Sequence, residues 1–149
     1  GVHVRRGDSC LHAAMSNSRP LCMPLELYTD ALREVVALYR PASVFLATDS
    51  QEVVEEAEGV GAELGVRVMV QRFDRRVFEG TLFIEHMVEG GYVDSEAVAE
   101  TTLLDLFLLA DCDILIGGFS SQLSRLALAL MTARRGVVPP FISVDRYSW

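Results

Sequence analysis

Asp113-Ile-Leu-Ile-Gly-Gly-Phe-Ser-Ser-Gln122 runs from a short apolar strand, Asp113 to Gly117, through a glycine pair into a polar helix start. The helix that opens at Phe119-Ser-Ser-Gln122 is expected to continue through about Ala133. Glycine allows a ligand close to the backbone, and free N–H groups beside Ser hydroxyls at a helix N-terminus favour phosphate oxygens. An ordinary N-cap accounts for the same residues, and both readings stand. The stretch lacks the Lys of a P-loop and the spacing of a Gly-x-Gly-x-x-Gly fingerprint.

The same alternation extends in both directions. Gly1-Val-His-Val-Arg5 is a short strand, and a polar loop follows from Gly7 to about Met23. Pro24 fits the first position of a helix on which Leu25, Leu27, Tyr28, Ala31, Leu32, Val35 and Val36 recur at helical spacing, ended by Pro41. Ser43-Val-Phe-Leu-Ala47 reads as a buried parallel strand, and Thr48-Asp49-Ser50 as a turn that caps a helix over Gln51 to Leu64. Gly65 closes that helix and Val66 to Val70 form a third strand. Gln71 to Gly91 carries a loop and a short helix around Leu82 to Val88. Asp94 or Ser95 caps a helix running to Ala110, with Ala97, Val98, Thr101, Leu104, Leu108 and Leu109 on its faces. A last strand lies near Phe141 to Val144.

Strands alternating with helices predict an α/β, Rossmann-like domain spanning residues 1–149, with a parallel sheet covered by helices on both faces. Ligands of such sheets sit beyond the carboxyl ends of the strands. Three polar clusters fall there: Arg5-Arg6-Gly7-Asp8, Thr48-Asp49-Ser50 and Gly117 to Gln122.

The composition is that of a globular domain, with half of the 149 residues apolar and 23% charged. A net charge of −8 argues against a general nucleic-acid partner, which requires a basic excess. All 13 basic residues are arginine, the side chain best shaped for bidentate phosphate contacts. The cysteines at 10, 22 and 112 have no zinc-ligand spacing; Cys10 and Cys22 bracket a loop, where a disulfide and two free thiols are both open. No apolar run approaches 18 residues, and no charged-then-apolar stretch of the secretory type occurs within these residues. Because Gly1 already lies inside that strand, the chain is expected to be a piece of a longer polypeptide.

Successive residues of a strand alternate faces, so one arginine of the Arg5–Arg6 pair can turn into a site while the other points away. A guanidinium at a strand end suits a diphosphate leaving group, where charge develops as a bond breaks. A surface pair salt-bridged to Asp8 or other acids is the competing reading. Asp105, within Thr102-Leu-Leu-Asp-Leu-Phe-Leu-Leu109, is costly unless partnered and marks a buried ion pair or a ligand contact. Asp49 reads as a helix cap. Asp111-Cys-Asp113 mimics a sugar-transferase metal motif but precedes a strand, at the wrong end of the sheet, so no metal is expected. His3 faces away from Val2 and Val4, to stack on a base or to sit in the core. His12 and His86 stand alone.

Taken together, Gly1-Val-His-Val-Arg-Arg-Gly-Asp8, Phe45-Leu-Ala-Thr-Asp49, and Leu104-Asp-Leu through Asp113-Ile-Leu-Ile to Phe119-Ser-Ser-Gln122 and Arg125 resemble the donor-binding half of the α1,6-fucosyltransferase-type enzymes. The resemblance implies the C-terminal half of a two-domain GT-B glycosyltransferase that transfers fucose from GDP-fucose to a glycan or glycoprotein acceptor, with inversion and without metal or cofactor. It implies that Arg5 holds the β-phosphate and stabilises departing GDP, that His3 and Asp105 contact the guanine end, and that Ser120, Ser121 and Gln122 complete the donor pocket. Asp49 matches an acid to which that family's activity is sensitive. The resemblance further implies a missing N-terminal domain and a Golgi-lumenal enzyme anchored by a single span outside this stretch. Two departures stand out. Ser50 replaces one of a pair of acids, and Ser9-Cys-Leu-His-Ala-Ala14 lacks the acid expected as general base, leaving Asp8, His12 or the missing half. A non-catalytic nucleotide-sugar-binding domain, or a structural half of a degenerate transferase, is therefore the alternative.

Overall fold

A computed structural model describes residues 1–11, 21–78 and 83–145. Five parallel strands form its sheet: β1 (Val2–Val4), β2 (Ser43–Thr48), β3 (Arg67–Val70), β4 (Leu115–Gly117) and β5 (Phe141–Ser143). Their spatial order is β3-β2-β1-β4-β5. Val2 is registered between Leu46 and Ile116, and His3 between Ala47 and Gly117. The chain thus builds outward from β1 to one edge, then returns to build the other from β4. The crevice between the carboxyl ends of β1 and β4 is where this order reverses.

Strand alternation sorts the apolar side chains onto two cores. Val2, Val4, Val44, Leu46 and Ile116 pack against α2 (Leu25–Tyr39) and α3 (Gln51–Leu64). On the other face Phe45, Ala47 and Leu115 meet α5 (Ser95–Asp111) and α6 (Gln122–Arg135), with Leu109, Phe119 and Met131 fully buried. Each such side chain contributes about 1.5–3 kcal/mol through area removed from water. His3 belongs to the second face, as alternation from Val2 requires.

Four local expectations change. The loop after Arg6 begins with a one-turn helix, α1 (Gly7–Leu11), and Cys10 is bonded to Cys22. Pro24 is the N-cap of α2 rather than its first residue, while the other end is as expected, with Tyr39 last, Arg40 as C-cap and Pro41 next. Ser50, not Asp49, caps α3, its side chain accepting from the Val53 N–H. On α5 the buried residues are Asp105, Leu106, Leu109 and Ala110, whereas Leu104 and Leu108 are exposed. That helix is apolar nearly all round, so spacing alone does not choose its inner face. The described part of Gln71 to Gly91 holds a 3₁₀ turn, η1 (Arg75–Phe78), and the short helix α4 (Ile84–Glu89). His12 and Leu82 lie outside the described residues, and of Asp8 only the backbone, in α1, is described.

Candidate functional site

A cavity of about 470 Å³ opens at the carboxyl ends of β1 and β2, on the face covered by α5 and α6. His3, Arg5 and Asp49 line it from the strands, Asp105 from α5, and Ser121 and Gln122 from the start of α6. Six of the seven residues singled out for the site therefore share one cleft. Ser120 is not among its lining residues. Another cavity, about 340 Å³, lies at the amino ends of the strands, where no arginine lines it and Asp111 and Asp113 do. Those acids are paired with Arg134 and Arg135, and among the described residues no cluster suits a metal ion.

Arg5 and Arg6 part as strand parity requires. Arg5 enters the cleft, while Arg6 lines a separate hollow with Glu26, Glu52 and Glu56 between α2 and α3. Asp49 joins the two strand ends: its Oδ2 accepts from Arg5 at 2.6 Å and its Oδ1 from the Arg6 backbone N–H at 2.8 Å. Asp49 is buried and the Arg5 side chain is 27% exposed, so the pair presents a fixed guanidinium to the cleft. Gly7 makes room for this, since a Cβ there would lie 2.4 Å from Asp49 Oδ2. Asp49 is thus an arginine-orienting residue, and with Ser50 taking the cap its carboxylate is available for that purpose.

His3 lies under the floor of the site. Its Nδ1 is 2.7 Å from Ser124 Oγ, and both residues are buried. Gly117 permits the approach, because a Cβ there would sit 2.7 Å from that hydroxyl. Burial, with a smaller push from Arg5, lowers the imidazole pKa to about 3, so His3 is a neutral hydrogen-bonding group at physiological pH. Ser124 was not singled out from the sequence. It lies three residues after Ser121, on the stripe that Ala127, Leu128 and Met131 continue, where a hydroxyl on an apolar helix face is the readable signal.

Asp105 faces the cleft from the opposite wall. It is buried, and its Oδ1 has no hydrogen-bond partner among the described residues. Burial raises its pKa to about 6, against a lowering pull from Arg75. A carboxylate oxygen left bare in a dry wall is an acceptor without its donor.

The β4–α6 turn is more occupied than its glycines and serines imply. Asp145 takes the Phe119 N–H at 3.0 Å and the Ser120 N–H at 2.7 Å, and accepts from the Ser143 hydroxyl. Burial raises its pKa, but these bonds outweigh that and hold it below the usual carboxylate range. Ser120 Oγ accepts from the Leu21 N–H at 3.0 Å, and neither residue lines the cleft. Arg125 braces the same turn through the Phe119 carbonyl at 2.6 Å. What remains for an anion is the first turn of α6, whose N-cap, Ser121, makes no side-chain capping bond.

The cleft thus combines one oriented guanidinium, a helix N-terminus without a side-chain cap, and a buried acceptor on the opposite wall. The first two suit a diphosphate, and the third a ring bearing N–H groups.

No protein-family model matches the chain. No curated protein matches it either. Solved structures do. The structure of POFUT1 in complex with GDP-fucose superposes with a TM-score of 0.64 over 95% of this chain, at 14% identity. NodZ alpha-1,6-fucosyltransferase co-crystallized with GDP matches 85% of it, with a TM-score of 0.50 and 28% identity. The same enzyme soaked with GDP-fucose matches 87%, at the same identity and TM-score. The chain spans 40% of the POFUT1 chain and 33% and 35% of the two NodZ chains. Its fold is therefore fucosyltransferase-like, α/β and Rossmann-like.

Proposed function

We propose that this chain is the donor-binding half of a fucosyltransferase-like GT-B glycosyltransferase, gripping GDP-fucose in the cleft between β1 and α6. The observation that carries the reading is Arg5, anchored by Asp49 at 2.6 Å and turned into a cavity whose opposite wall is Asp105. The POFUT1 structure in complex with GDP-fucose, and the NodZ structures co-crystallized with GDP and soaked with GDP-fucose, support the choice of ligand.

In this reading the diphosphate lies across Arg5 and the N-terminus of α6, while the guanine edge turns to Asp105 and the neutral His3. An acceptor hydroxyl attacks the anomeric carbon as the bond to the β-phosphate oxygen breaks, and GDP leaves with the bonding pair. A single displacement of this kind inverts the anomeric centre. Arg5 offsets the charge that grows on the leaving oxygen, a role that makes the transfer metal-independent. The hydroxyl proton passes to a base assigned outside the cleft lining, in the remainder of the polypeptide or the segment containing Asp8 and His12. The acceptor is a glycan or glycoprotein. The Cys10–Cys22 disulfide supports an oxidising compartment such as the Golgi lumen.

A nucleotide-sugar-binding module without transfer is the second reading. Ser50 favours it, because the position where related enzymes carry a second acid is spent on capping α3. Turnover of radiolabelled GDP-fucose with mixed glycan acceptors separates the two. Transfer that drops about 10²–10³-fold in Arg5→Ala supports the enzyme. GDP binding without turnover supports the module. Undiminished turnover in Arg5→Ala overturns the assignment of Arg5.

A further inference from the structure

Arg75 was not singled out by the sequence and does not line the cleft, yet it is among the most deeply buried charged residues described, 3% exposed. Its Nε donates to the Thr48 carbonyl at 2.9 Å, one amino group to Phe73 at 3.2 Å and the other to Gln71 at 3.0 Å. The acceptors are the last residue of β2 and two residues on the exit from β3. One planar group therefore ties two neighbouring strand ends together behind the wall of the site. Thr48, which it holds, directly precedes Asp49. Among the described residues Arg75 bonds to no carboxylate, so its charge is balanced at longer range by Asp105 and Asp49. A buried cation satisfied only by carbonyls is costly where packing alone is required, since an apolar residue would fill the same space.

We propose that Arg75 is a positioning residue of the nucleotide site, fixing the β2 exit that carries Asp49 and supplying the buried positive charge that balances Asp105. This rests on the donor-site reading above. Among the described residues, the titratable groups that line the cleft with Asp105 are His3 and Arg5 from β1 and its exit, Asp49 from the β2 exit and Glu85 from α4, with Arg75 of η1 acting from behind the wall; α6 and its N-cap add no titratable side chain to the lining. His3 stays neutral to about pH 3, Arg5 and Asp49 compensate each other, and Glu85 is exposed to solvent. Arg75 is thus the buried charge that acts on Asp105 without a bonded partner of opposite sign.

Two substitutions separate the parts of the role. Arg75→Lys keeps the charge but not the three-pronged fork, and Arg75→Met loses both. The first measurement uses no ligand: the carboxyl titration of Asp105 by NMR in isotopically labelled protein. Its midpoint is expected to rise by at least half a pH unit in Arg75→Met and to stay near the wild-type value in Arg75→Lys. The second is GDP calorimetry from pH 5.5 to 8. Wild-type affinity is expected to fall as pH drops through the Asp105 midpoint. In Arg75→Met that fall should move to higher pH, with affinity at pH 7 down at least tenfold; Arg75→Lys should weaken binding without moving it. Unchanged Asp105 titration together with unchanged pH dependence in Arg75→Met overturns the proposal. If that variant does not fold, wild-type GDP affinity in Arg75→Lys overturns the positioning role. Wild-type protein that does not bind GDP refutes the donor-site reading, while the Asp105 titration still decides whether Arg75 sets its charge.

Discussion

His3 and Asp105 face one cleft, and burial moves their protonation in opposite directions. The imidazole titrates near 3 in the folded chain and at its ordinary 6.5 when unfolded, so its share of stability is present above 6.5 and is lost as pH falls toward 3. The Asp105 carboxyl titrates near 6 when folded against 3.8, so its share is present below 3.8 and is lost as pH rises through 6. Between about pH 4 and 6 the two slopes oppose each other. Relative to wild type, the unfolding free energy of Asp105→Asn should rise with pH across that interval, and that of His3→Gln should fall. Each change should be about 1 kcal/mol per pH unit, after discounting the full proton linkage for solvent screening. Urea denaturation at pH 4, 5, 6 and 7 checks this, and pH-independent differences would refute it. The strand parity that sends Arg5 inward and His3 away from Val2 is legible in the sequence, because a period of two leaves no freedom. Asp105 is legible as an anomaly in an apolar run. Arg75 and Asp145 are not, since each follows a strand in a segment without periodicity, where a charged residue reads as solvated.

At the scale of elements, helix ends show what composition does and does not determine. The C-caps of α3 and α6 are glycines with φ of 66° and 71°, as the Gly65 stop implies. The corresponding residue of α2 is Arg40, at φ 47° and immediately before Pro41. A side chain in the left-handed region is strained, and a following proline restricts it further. Arg40→Gly should therefore stabilise the protein by about 0.5–1 kcal/mol, seen as a higher Tm, because relief of that strain exceeds the entropy cost of the added glycine. A lower Tm would show that Arg40 makes compensating contacts. The β4–α6 turn carries the opposite lesson. Its glycines and serines correctly mark a strand-to-helix passage at a ligand-binding edge. The capture of two of its N–H groups depends on where β5 delivers Asp145, 26 and 25 residues after Phe119 and Ser120. Local sequence shows an anion-binding turn; tertiary structure decides how much of it is left for a ligand.

At the scale of the molecule, the parallel α/β architecture follows from the alternation of apolar runs, and the convergence of polar clusters from the rule that such sheets bind beyond their carboxyl ends. The strand order does not follow from either. It is the placement of β1 between β2 and β4 that brings residues 3, 5, 49 and 121–122 within one cavity. The central claim is that this cavity grips a diphosphate through Arg5, and calorimetry with GDP and GMP on wild type and Arg5→Ala tests it most directly. Wild type should bind GDP at least tenfold more tightly than GMP, about 1.4 kcal/mol, and Arg5→Ala should erase that preference while retaining GMP binding. Equal affinities in wild type, or a preference that survives in Arg5→Ala, would contradict it.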